Sequence, residues 1–119
     1  MTLSGAELYW YDDTQKSPLY SVGYSKQYAS TIYAPRPKGR APRMVATGGV
    51  IVAFSYAPAT DRIEEIAHQY GLTFVKKMAI GKGYYLYHTS KDKALKAANA
   101  IYEHEKGIVS AYPDWLYLR

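Results

Sequence analysis

Between Gly49 and Asp114 the sequence alternates strand-type runs with helical periodicity, and each change of period is marked by glycine or proline. That alternation limits the folds open to the chain more than any other feature. Val50-Ile51-Val52-Ala53-Phe54-Ser55-Tyr56 is β-branched and aromatic, and Pro58 stops it. Thr60 or Asp61 then opens a helix, with Asp61 and Glu64 spaced as a capping box. Ile63, Ile66, Ala67 and Tyr70 fall on one face, and Gly71 closes it. Residues 72–78 read as a second strand, and Gly81-Lys82-Gly83 turns the chain into a third, Tyr84-Tyr85-Leu86-Tyr87-His88. Ser90 starts a second helix, with Ala94, Leu95, Ala98, Ile101 and Tyr102 on one face, ended by Gly107. Ile108-Val109-Ser110-Ala111-Tyr112 is a fourth strand that Pro113 ends.

The order β-α-β-β-α-β predicts an α+β domain over residues 49–119. The expected form is a ferredoxin-like plait, a four-stranded antiparallel sheet with both helices on one face. The other face has no cover within such a domain and is the expected docking surface. Alternation leaves open which residue set points outward, and Tyr85 and Tyr87 are candidates.

Upstream, Glu7-Leu8-Tyr9-Trp10-Tyr11 and Leu19-Tyr20-Ser21-Val22 flank a polar stretch and read as a β-hairpin arm within residues 1–31. A lone hairpin is marginal in water and must pack on something. Residues 32–48 hold Pro35, Pro37 and Pro42 among Arg36, Lys38, Arg40 and Arg43, and read as a linker without regular structure.

Fifteen basic against ten acidic side chains leave a net charge of +5. Residues 1–48 carry six and three, residues 49–119 nine and seven, so the second segment holds only about +2, too little for a strong phosphate footprint. With no cysteine there is no disulfide framework, thiolate metal site or cysteine nucleophile. His68, His88 and His104 form no His-x-x-x-His pair, and Glu64 and Glu65 diverge by about 100° on a helix. No catalytic constellation, metal site or cofactor motif emerges, and a non-enzymatic role is expected. Lys82-Gly83-Tyr84 matches the start of an RNA-recognition signature, but Leu86 stands where its second ring belongs and Ile51 where the first strand's ring belongs. Single-stranded nucleic acid bound on Tyr85 and Tyr87 is the alternative reading.

Val50 to Phe54, Gln69-Tyr70-Gly71-Leu72, Thr73-Phe74-Val75-Lys76-Lys77 and Gly107-Ile108-Val109-Ser110-Ala111-Tyr112-Pro113-Asp114, in that order, resemble the propeptide domain of subtilisin-like serine proteases. Tyr9-Trp10-Tyr11 with Lys16 and Pro18-Leu19 resembles a segment that precedes the domain in some bacterial members, and Tyr112 departs from the glutamate usual at its position.

The resemblance implies an inhibitor and intramolecular chaperone whose partner is a subtilisin-like serine protease, in cis or in trans, which places nucleic acid second; no membrane role is expected, since no apolar run approaches the ~20 residues of a span. It also leans the compartment toward the extracellular space or periplasm. It implies that the sheet face, with Tyr112, Asp114, Tyr85 and Tyr87, anchors on the enzyme. The tail 114–119, through Trp115, Leu116, Tyr117, Leu118 and Arg119, would occupy the substrate cleft as a product-like strand. Asp114 would cap a helix amino terminus of the enzyme.

Overall fold

The computed structural model describes residues 8–12, 15–79 and 83–118. Glu7, the 81–82 part of the expected glycine turn, and Arg119 lie outside the described residues. Seven strands and two helices follow in the order β1 (Leu8–Asp12), β2 (Gln15–Ser25), β3 (Ser30–Ala34), β4 (Arg43–Phe54), α1 (Thr60–Tyr70), β5 (Thr73–Lys77), β6 (Tyr84–His88), α2 (Lys91–His104) and β7 (Ile108–Leu118). They form one sheet in the order β3-β2-β1-β7-β4-β6-β5, antiparallel in every pair.

The expected four-stranded ferredoxin-like plait is therefore incorrect; the expected hairpin forms, β1 pairing with β2, but as part of the sheet and not as an arm beside it. β1 lies inside the sheet, bonded to β2 on one side and to β7 at Tyr11↔Ala111 on the other. Nor are residues 32–48 without regular structure, because β3 and β4 take up most of them. The three prolines that argued for a linker sit in the short connection between those strands, where no ladder donor is needed.

Two strands run much further than their sequences suggested. β4 continues upstream through Thr47-Gly48-Gly49, and β7 continues downstream through Pro113. Both supposed breaks coincide with a single irregularity, where the register jumps from Ala46↔Trp115 to Val50↔Pro113. A bulge tolerates a proline and uses glycine, so the strands bend there instead of ending. Gly48 has φ of +98°, and a Cβ there would lie 2.5 Å from the Thr89 carbonyl oxygen, leaving no room for a side chain.

Beyond the bend, Arg43–Ala46 pairs with Trp115–Leu118, while Tyr33 pairs with Met44. This last pairing closes β3-β2-β1-β7-β4 into a ring, a small barrel that shares the long strands β4 and β7 with the rest of the sheet. Leu19 and Met44 of this ring, with Leu95 of the second helix, form a second buried cluster, with Trp10, Tyr33 and Trp115 packed against them. On the other side of the bend, α1 and α2 cover one face of the sheet, and Val50, Val52, Phe54, Tyr85 and Tyr87 meet Ile63, Ile66, Ala94, Ala98 and Ile101. α1 has Ala59 as N-cap without a side-chain hydrogen bond, so the Asp61 capping box does not form. Asp61 sits within the first turn, facing the positive end of the helix. Gly71 ends α1 in the left-handed conformation, whereas α2 ends at Glu105, before Gly107.

Candidate functional site

Register decides which tyrosines a partner can reach. Val52 pairs with Tyr85 and Val50 with Tyr87, and both valines lie under the helices, so Tyr85 and Tyr87 do too. Tyr87 is fully buried, and its hydroxyl donates to the Ile63 carbonyl at 3.1 Å. Burial first, then the Glu64 carboxylate, push its pKa well above the ordinary tyrosine range. Tyr85 packs edge-on to Phe54, with ring centroids 5.4 Å apart. Neither ring faces a partner, which removes them both as protease anchors on an open face and as stacking platforms for bases.

The outward set is the other one. Ile51 pairs with Leu86 and Tyr112, and Ala53 with Tyr84 and Ser110. This face carries no helix, yet Ile51 is only 8% exposed. The half-buried side chains of Tyr84, Leu86 and Tyr112 flank it. His88, Thr73 and Lys76 surround this apolar centre with exposed polar groups. Of the expected anchors, Tyr112 belongs to this face, its ring 5.9 Å from that of Trp10. Asp114 is exposed two residues further along the same strand.

The tail is a strand in its own sheet. Trp115 lies against both cores, edge-on to Trp10 at 6.0 Å and to Tyr33 at 5.7 Å. Its Nε1 is buried with no hydrogen-bond partner among the described residues. The Asp114 carbonyl accepts from Thr47 Oγ1 at 2.8 Å, pinning the start of the tail to the bend. Leu116 and Tyr117 remain 37% and 57% exposed. A free product-like strand is thus not what the folded chain presents, since five-residue extension into a cleft requires leaving the ladder with β4.

Two polar clusters have no local sequence signal. Tyr9 and Tyr11 both donate to Glu103 Oε2, at 2.5 and 2.7 Å, joining β1 to α2. Those hydrogen bonds hold the Glu103 carboxyl below the usual carboxylate range. Arg62 bridges Glu65 at 3.0 Å and Glu105 at 2.9 Å, and Tyr70 donates to Glu105. Both clusters tie elements together, and Tyr9 and Glu103 also line a cavity of about 550 Å³ with Asp92, Asn99 and His104. Among the described residues no group of three or more His, Cys, Asp or Glu is arranged to hold a metal ion, and no helix is long and apolar enough to cross a membrane. No protein-family model, curated protein or solved structure matches the chain.

Proposed function

We propose that the chain is a non-catalytic docking module of the propeptide type, an inhibitor and folding helper for a subtilisin-like serine protease. The observation that carries this reading is the helix-free face, where Ile51, Tyr84, Leu86 and Tyr112 form an apolar centre inside a polar rim. Protein interfaces have that anatomy, and tyrosine is a frequent anchor in them. The motifs in residues 49–114 supply the identity of the partner. Binding the folded enzyme and not its unfolded chain stabilises it by mass action, about 2.7 kcal/mol at a hundredfold excess over Kd. Chaperone and inhibitor are then two effects of one interface.

Docking on this face comes first in the proposed mechanism. Cleft occupancy by the tail is a second step, in which Trp115–Leu118 exchange the β4 ladder for the edge strands of the cleft. The test is a panel of purified subtilisin-like proteases assayed on a chromogenic peptide. Inhibition that weakens at least tenfold on Leu86→Asp, with the fold intact by circular dichroism, is expected. No inhibition of any member, or inhibition indifferent to both Leu86→Asp and Tyr84→Ala, would overturn the reading.

A further inference from the structure

We infer that the tail strand, in place in its ladder, forms one wall of a second docking site, which takes an apolar side chain flanked by carboxylates on the surface of the partner. This rests on the docking reading above for the identity of that partner.

A cavity of about 550 Å³ opens between the turn after β2 and the end of β7, lined by Ser25, Gln27, Tyr28, Leu116, Tyr117 and Leu118. Among the described residues its wall holds no charged side chain, but basic residues adjoin its lining in sequence, register or hydrogen bonding. Lys26 is exposed between two lining residues. Lys91 Nζ donates to the Tyr28 carbonyl. Arg43 is exposed and is the register partner of Leu118. Arg36, Lys38 and Arg40 are exposed on the connection that leads into Arg43.

The wider charge distribution agrees. Residues 14–60 contain six basic side chains and no acidic one, and the remainder contains nine basic and ten acidic. Over residues 1–48, which include Glu7, Asp12 and Asp13, the excess is +3 of the chain's +5. Both ion pairs among the described residues use Arg62, so Lys26, Arg36, Lys38, Arg40 and Arg43 enter none. Asp92 and Glu103 on the helix of Lys91, and Asp114 on β7, are the acidic groups among the described residues of the elements that supply the site, and all three are exposed.

The lining joins Leu116, Leu118 and the rings of Tyr28 and Tyr117 to the polar Ser25 and Gln27, and a basic rim around such a mixed contact steers encounter with a protein partner. A groove for nucleic acid instead runs its cations along the path of the strand. A second copy of this chain would set two basic surfaces against each other, which like charges oppose. An acidic partner surface with a projecting apolar side chain meets both halves of the site.

A fluorescein-labelled decapeptide of Glu and Asp with a central Phe is the probe, titrated by anisotropy against the full chain. Saturable binding is expected, falling as salt rises from 50 to 200 mM. It should weaken about tenfold in the double variant Lys26→Glu, Arg43→Glu, and again when the central Phe becomes Gly or Leu116 becomes Ser. All these changes are at exposed positions, and thermal melts check their fold. Absence of binding, salt-independent binding, or binding indifferent to Leu116→Ser would overturn the inference. Tighter binding of a twenty-nucleotide oligothymidylate with the same variant sensitivity would overturn it in favour of nucleic acid. Against the protease panel, inhibition lost on Leu86→Asp but unchanged in the charge variant overturns this site alone. Peptide binding without inhibition of any protease overturns the docking reading alone.

Discussion

Tyr11 of β1 lies flat on Tyr102 of α2, with ring centroids 4.0 Å apart and planes 13° from parallel. Together with the Tyr9 and Tyr11 hydrogen bonds to Glu103, this contact fastens the first described strand to the second helix.

Tyr11→Ala removes the stack and one hydroxyl, and is expected to cost about 1–2 kcal/mol of stability in urea melts. An unchanged midpoint would show that β1 is held by its ladder alone.

Glu103 gives this junction a pH dependence of known sign. Its folded pKa is depressed by the tyrosine hydrogen bonds, so its contribution is complete above the unfolded value of about 4.3 and is lost as pH falls through the lower folded value. Melts between pH 6 and 2 should show an acid limb that Glu103→Gln flattens.

Tyr70 works at the opposite end of the scale. Burial, and then the hydrogen bond to Glu105, push its pKa up to about 12. Its stabilising effect is complete below the unfolded value of about 10 and is lost between there and about 12. Alkaline unfolding should therefore shift in Tyr70→Phe, and ultraviolet titration should show one late-ionising phenol fewer.

The bend in β4 should be intolerant of change. Gly48→Ala is expected to destabilise by about 2–3 kcal/mol, combining a positive φ with a collision at the Thr89 carbonyl. Gly39, also at positive φ but with open space around its Cβ position, supplies the control. Equal losses at both sites would mean that backbone strain, and not the close approach, sets the cost.

Trp115→Ala should cost about 3–5 kcal/mol, because the ring fills the junction of two cores. Truncating residues 115–119 thus confounds inhibition with folding. Leu116→Asp, at a partly exposed tail position, is the variant that separates them, and it should leave the melting midpoint within a few degrees of wild type.

Local pattern carried the helices. Ile63, Ile66 and Ala67, and Ala94, Leu95, Ala98 and Ile101, are buried as their spacing predicts, and β6 spans the residues read for it. What the pattern missed lies in long-range pairing. Gly48-Gly49 and Pro113 read as ends because each is a breaker in isolation, yet they face one another across the same irregularity, where both are tolerated. Tyr33↔Met44 and Tyr11↔Ala111 leave no trace in periodicity, so the barrel and the seven-stranded sheet were invisible. For the site, alternation on β6 offered two faces that both carry tyrosine, Tyr85 with Tyr87 on one and Tyr84 with Leu86 on the other. Only the pairing of Tyr85 and Tyr87 with helix-covered valines separates them from Tyr84 and Leu86. Glu103 was overlooked because its partners lie at the other end of the chain.

Because β4 and β7 cross the bend together, no cut through the molecule separates barrel from helix-covered sheet without severing both strands. The two regions share their girders. Heat or denaturant should therefore release them in one concerted transition, and any force that peels Leu118 from Arg43 pulls along the same strand that supports the helices. A partner that seized the tail would be tugging on the frame of the docking face itself.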